Sequence, residues 1–145
     1  MKILVLNGPN LNLLGIREPS LYGTETYETL RETIRAYALS RGIETKIYQS
    51  NHEGDLVDKI QSARGTFDGI LLNAAAYTHT SIAIPDALKA VALPCVEVHL
   101  TDPDAREDYR KVNFLRDACF ATVKGEGTKG YLHALDLLAE RIASL

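Results

Sequence analysis

The sequence predicts a doubly wound α/β domain, a parallel sheet with helices on both faces. Short apolar runs recur along the chain, amphipathic stretches of helical length separate them, and turn-forming residues close each run. Ile3-Leu4-Val5-Leu6, stopped by Asn7-Gly8-Pro9-Asn10, has the pattern of a strand buried on both faces. Residues 43–49 alternate as a half-buried strand does, and 69–72, 95–98 and 119–123 are further apolar runs, giving five expected strands. Between them, 25–41 sets Leu30, Ile34 and Ala38 on one helical face before Gly42, and 53–63 does the same with Val57 and Ile60. Ser81 is placed to cap a helix carrying Leu88 and Val91, and Tyr131, Leu135, Leu138 and Ile142 recur at helical spacing near the C-terminus.

Right-handed crossovers between such strands give a three-layer sandwich. Five strands suit the flavodoxin-like order 2-1-3-4-5, in which ligands sit beyond the carboxyl ends of strands 1 and 3. With 145 residues, 46% of them hydrophobic and 24% charged, one globular domain over 1–145 is expected, large enough for a core without disulfides or metal. A net charge of -3 and no basic run argue against nucleic acid as a partner. Cys95 and Cys119 stand in separate apolar stretches and read as buried free thiols rather than a redox or metal pair. The N-terminal apolar run is too short for a signal peptide, and no stretch is long enough for a membrane span, so a cytoplasmic protein is expected.

The topology directs attention to three segments. The connection from Asn7 to Thr24 is long for its type, which marks binding loops and lids. It carries Asn10, Arg17, Glu18 and Tyr22, with Gly8, Gly15 and Gly23 among them. Asn73, Tyr77, Thr78 and His79 follow strand 3, and strand 4 ends at Glu97, His99 and Thr101. Singly, each has an ordinary reading: Asn in turns, Tyr22 pinning a loop, Arg17 as surface charge, His79 and His99 as satisfied core residues. Their convergence on one sheet edge favours a site.

Glu97 and His99 are two apart on a strand, so both side chains leave the same face and pair as acid and base, or as an ion pair at the sheet edge. Tyr22 near Arg17 suggests a phenolate base, which needs about 4 kcal/mol of differential stabilisation to reach neutrality, within reach of a guanidinium in a desolvated pocket. No His-carboxylate cluster has ligand spacing, so no metal is expected. None of the seven lysines lies in the three strand-end segments 7–24, 73–81 and 97–101, which disfavours Schiff-base chemistry. Gly125-Glu126-Gly127-Thr128-Lys129-Gly130 fits G-x-G-x-x-G but has no second strand or ribose-binding acid after it, so a tight strand-to-helix turn is the better reading. A flavodoxin would need a Ser/Thr-rich phosphate loop after strand 1, and a phosphoacceptor receiver an Asp where Asn73 stands.

Asn7-Gly8-Pro9-Asn10-Leu11-Asn12-Leu13-Leu14-Gly15 followed by Arg17-Glu18-Pro19 and Tyr22-Gly23 closely resembles the opening of type II 3-dehydroquinate dehydratases. Gln49 to Gly54, Asn73 to Ser81, Asp86-Ala87-Leu88, Glu97 to Thr101 and Ala105-Arg106-Glu107 resemble successive blocks of that family. The resemblance implies a single dehydroquinase domain, a lyase without cofactor or metal that turns 3-dehydroquinate into 3-dehydroshikimate by anti elimination through an enolate. The step is shared by aromatic amino acid biosynthesis and quinate breakdown. It implies Tyr22 as base with Arg17 favouring its phenolate, His99 as acid oriented by Glu97, and Asn10 holding a water that stabilises the enolate. Asn73, His79, Asp86 and Arg110 would grip the ring hydroxyls, and the N–H groups of Leu100 and Thr101 the carboxylate. A homo-oligomer, a dodecamer built from trimers, is implied as well; a catalytically degenerate relative acting as a binding or assembly protein is the alternative. The acidic Asp102-Pro103-Asp104, Asn113 where the family often has Ser, and the stretch around Cys119 depart from the pattern.

Overall fold

The structure, a computed structural model, describes residues 1–16, 18–22 and 24–145, with Tyr22 described by its backbone alone. Five strands, β1 (Lys2–Asn7), β2 (Glu44–Gln49), β3 (Gly69–Asn73), β4 (Cys95–His99) and β5 (Ala121–Lys124), pair in parallel in the order β2-β1-β3-β4-β5. β1, β3 and β4 are buried almost throughout, which is why they read as unbroken apolar runs. β2, at the edge, alternates between exposed and half-buried positions, as its sequence does.

The helices are α1 (Pro19–Tyr22), α2 (Tyr27–Ser40), α3 (Glu53–Ala63), α4 (Ala83–Val91) and α5 (Lys129–Ala143). Alternate strand residues feed two cores. Ile3, Val5, Leu71, Val96 and Val98 pack with Leu30, Ile34 and Ala38 of α2 and Tyr131, Leu135 and Leu138 of α5. Leu4, Leu6, Ile70, Leu72 and Cys95 pack on the opposite face with Leu56 and Ile60 of α3 and Ile84 and Leu88 of α4. None of the described helices is long and apolar enough to cross a membrane.

Local chemistry sets the boundaries that differ from expectation. α2 begins at Tyr27 rather than at residue 25, because Thr26 and Thr29 form a reciprocal capping box. Ser81 lies one residue before the N-cap position of α4, which is Ile82, and its hydroxyl still accepts from the Ile84 N–H at 3.0 Å. β5 starts at Ala121, two residues later than predicted, since Arg116–Ala118 forms a 3-10 turn and pairing with β4 opens at Val96 and Ala121. Both cysteines are free thiols, as expected, and only the burial of Cys119 is corrected. Cys119 is half-buried, and its Sγ lies 3.5 Å from that of buried Cys95, because the residues leading into β5 pack beside the start of β4, where the Phe120 N–H donates to the Cys95 carbonyl.

One glycine fixes how closely the ends of β1 and β3 approach. Gly8 donates to the Asn73 carbonyl at 2.8 Å, and a Cβ there would lie 2.4 Å from the Ala74 carbonyl oxygen. Backbone cannot yield as a flexible side chain does, so Gly8→Ala is expected to destabilise the fold by about 1–3 kcal/mol. Urea unfolding checks this, and an unchanged midpoint would refute the close-approach constraint.

Candidate active site

β1 and β3 are sheet neighbours whose following connections run in opposite directions, so a crevice opens beyond their carboxyl ends. Asn10 from the loop after β1, Asn73 at the end of β3, His79, and His99, Leu100 and Thr101 at the end of β4 all line one pocket there. The convergence expected from the strand ends is realised for Asn10, Asn73, His79, His99 and Thr101, with Leu100 where the resemblance implies it, whereas Tyr77, Thr78 and Glu97 are outside the lining. Arg110 joins them, together with Arg106.

Two residues of the pocket wall have left-handed backbones. Asn10 has φ 69°, which Asn tolerates, and its N–H donates to Asn51 Oδ1 at 3.0 Å. The same oxygen accepts from Gln49 Nε2 at 3.0 Å, and Tyr77 Oη donates to the Asn51 carbonyl at 2.7 Å. The Gln49 to Gly54 block thus braces the loop that carries Asn10. Ala75 has φ 52°, a conformation costing an L-residue roughly 1–2 kcal/mol, and its N–H donates to Asn73 Oδ1 at 3.1 Å.

Glu97 and His99 meet as their spacing predicts. His99 Nε2 lies 2.7 Å from Glu97 Oε2, with Glu97 wholly buried and His99 6% exposed. Burial pushes the Glu97 carboxyl up, but hydrogen bonds from His99, Thr122 and Asn113 outweigh it and hold the group below the ordinary carboxylate range. An ionised Glu97 accepts the Nε2 proton and leaves Nδ1 as the second ring nitrogen.

The other histidine has a different partner. His79 Nδ1 donates to the Val112 carbonyl at 2.6 Å. Burial lowers its pKa first, partly opposed by that hydrogen bond, with His99, Arg110 and Arg106 lowering it further. A neutral ring with Nδ1 engaged offers Nε2 as an acceptor.

Arg106 and Arg110 bring positive charge to the pocket, with side chains 13% and 17% exposed, and Glu107 pairs with both at 3.8 Å and 2.8 Å respectively. Glu18 lies 3.8 Å from Arg106 as well. The acidic segment beyond Thr101 is partly offset: the single Lys124 Nζ lies 2.7 Å from Asp104 and 3.4 Å from Asp102.

Beneath the pocket, Tyr131 Oη donates to Asn7 Oδ1 at 2.6 Å and accepts from Asn73 Nδ2 at 2.9 Å. Asn7 is therefore a buried framework residue. Burial pushes the Tyr131 hydroxyl well up, keeping it protonated. The glycine-rich turn after β5 supports the site from the same side, because the N–H groups of Gly127 and Gly125 donate to the carbonyls of Leu100 and Thr101 at 3.0 and 3.1 Å. A peptide plane sets its N–H opposite its C=O, so the Leu100 carbonyl bond turns the Thr101 N–H away from Gly127.

Arg17 and the Tyr22 side chain lie outside the described residues; Tyr22 is defined only as the last residue of α1. Asp86 is exposed in the first turn of α4 and is not part of the pocket lining of its own chain. Sequence reasoning passed over Arg106, although Ala105-Arg106-Glu107 was one of the resembling blocks, and gave no site role to Tyr131, Asn113 or Thr122. Tyr131→Phe leaves the Asn7 oxygen and an Asn73 N–H unpaired, so it is expected to cost about 1–3 kcal/mol of stability and to raise KM by loosening Asn73. Urea unfolding with steady-state kinetics tests this; a variant matching the wild type in both would remove Tyr131 from that role.

Over residues 1–139 the chain matches the family described as Dehydroquinase class II. It is 52% identical over 141 residues to a 3-dehydroquinate dehydratase of Ruegeria pomeroyi, covering 97% of this chain and 95% of that protein. A catabolic 3-dehydroquinase 2 of Neosartorya fischeri is 49% identical over 142 residues, with 98% and 95% covered. Among solved structures, a type II dehydroquinase from Butyrivibrio crossotus superposes with a TM-score of 0.94 at 49% identity, covering 96% of this chain and 97% of that one. A match running through every strand, at half identity and with the same fold, means that the chain belongs to the class II dehydroquinase family.

Proposed function

We propose that the chain dehydrates 3-dehydroquinate to 3-dehydroshikimate and water through an enolate, without a cofactor. The Tyr22 phenolate removes the proton beside the ketone, and Arg17 favours the ionised phenol. The enolate then expels the hydroxyl, which takes a proton from the His99 imidazolium and leaves as water. The single observation that carries this reading is the buried His99–Glu97 pair at 2.7 Å, set in a pocket of a chain of this family. A carboxylate partner fixes the imidazole's orientation and balances the second ring proton that an acid needs.

The pocket chemistry supports the substrate. Arg106 and Arg110 suit an anion, and the N–H groups of Leu100 and Thr101, the latter oriented by the glycine turn's bond to the Leu100 carbonyl, suit its carboxylate. Asn73 and neutral His79 offer partners for ring hydroxyls, with Arg110 beside them, and Asn10 holds the water that stabilises the enolate. Asp86 enters the same reading only from a second copy, since it is exposed on its own chain and outside that chain's pocket. This favours a homo-oligomer, a dodecamer built from trimers. Light scattering at micromolar concentration should therefore give the mass of twelve chains, and a monomer active at full rate would refute that part.

The purified chain mixed with 3-dehydroquinate and a metal chelator should develop the ultraviolet absorbance of a conjugated enone carboxylate. A flat trace from folded protein at saturating substrate would favour a degenerate relative. Tyr22→Phe and His99→Ala should each lower kcat by about 10²- to 10⁴-fold, with Tyr22→Phe leaving substrate binding largely intact. Near-normal turnover in either would remove that residue from its role.

A further inference from the structure

Glu97 has no exposed surface, and a buried carboxylate left without donors would protonate or turn away from its partner. Here its two oxygens are filled from three directions. Oε2 accepts from His99 Nε2 at 2.7 Å and from Asn113 Nδ2 at 3.0 Å. Oε1 accepts from Thr122 Oγ1 at 2.7 Å and lies 3.2 Å from the same Asn113 nitrogen. Thr122 is directly opposite Glu97 in the β4–β5 register, so the hydroxyl comes from a neighbouring strand rather than a loose loop.

The Asn113 amide has only one workable orientation. Its Oδ1 accepts from the N–H groups of Leu115 and Arg116 at 2.7 and 3.0 Å, and a flipped amide would set its own N–H bonds against both. Nδ2 is therefore committed to Glu97. The same segment engages the other histidine, through the Val112 carbonyl on His79 and the Phe114 N–H on the Thr78 carbonyl at 3.0 Å.

We propose that Thr122 and Asn113 are positioning residues of the elimination: together they hold the Glu97 carboxylate ionised and turned toward His99 Nε2, so that His99 meets the substrate through Nδ1. The inference rests on the reading of His99 as the acid. Neither residue lines the pocket, and the side-chain contact each makes toward it is with Glu97. Among the described residues, the titratable groups around that carboxylate are His99 and Cys95 on its own strand and Arg116, whose Nε lies 3.8 Å from Oε1. Thr122 and Asn113 are neutral donors that stabilise the charged form without adding charge.

The sign of the pH effect follows. Donors to the ionised carboxylate hold its pKa down, so losing one raises it, and Glu97 takes up a proton at a higher pH. Thr122→Val keeps the shape of the side chain and removes the hydroxyl. It should lower kcat about tenfold with KM within about twofold, and move the acidic limb of the kcat profile upward by about one pH unit. Thr122→Ser should recover most of the lost turnover. Ring ¹⁵N spectra of neutral His99 should show the Nε2–H tautomer in the wild type and a mixture in Thr122→Val.

Wild-type kcat, pH limb and tautomer in Thr122→Val, alongside an inactive His99→Ala, would overturn this inference and leave the acid assignment standing. Full turnover in His99→Ala would overturn both. Should Thr122→Val fail to fold, as judged by circular dichroism, Thr122→Ala carries the same comparison. Equal loss in Thr122→Ser and Thr122→Val would reduce Thr122 to packing and overturn the proposal.

Discussion

A fully buried carboxylate on β4 is the constraint around which the site is built. Leaving Glu97 without partners in the sheet would cost several kcal/mol, more than most single contacts return. That demand explains polar residues in otherwise apolar surroundings: Thr122 in the short last strand, Asn113 bonded to the backbone ahead of a 3-10 turn, and His99 at the strand end. Packing alone would favour aliphatic side chains at 97 and 122, and the hydrogen-bonding needs of one ionised group outweigh that preference. The last strand and the turn before it are thereby tied to the chemistry, although neither borders the pocket.

The sheet topology supplies the second condition. Because β1 and β3 lie side by side and their chains depart in opposite directions, the backbone at their ends is free to bend into a wall. Asn10 and Ala75 take left-handed conformations there, each held by an Asn side chain accepting its N–H. Gly8 permits the close approach that makes the wall continuous. Strain of this kind persists where surrounding bonds over-determine it, and the Gln49, Asn51 and Tyr77 bonds do so here.

Most of the fold was legible because its signals are local. Apolar runs, helix spacing, Ser81 and Gly42 depend on neighbours in sequence, and the order 2-1-3-4-5 follows from few alternatives. The Glu97 and His99 pairing was legible for the same reason, as a strand carries i and i+2 on one face. Thr122 was not, since nothing in its own segment says which residue of β4 it opposes. The Cys95 and Cys119 contact escaped likewise, and Asn113 looked only like a departure until its amide was seen between a carboxylate and two backbone donors. Arg106 stood in a resembling block without a role, because charge in a loop reads as solvated surface until the loop folds over a pocket.

The two histidines of the pocket show how partners, rather than residue type, divide the work. His79 gives its Nδ1 proton to the Val112 carbonyl, a neutral acceptor, and burial together with nearby positive groups disfavours a second proton on that ring. His99 faces a carboxylate held ionised by two further donors, which balances a second ring proton. One ring is thus suited to accept a hydrogen bond from a hydroxyl, and the other to protonate one. Both assignments pass through residues 112 to 114, so this short segment keeps the two rings chemically distinct within one pocket.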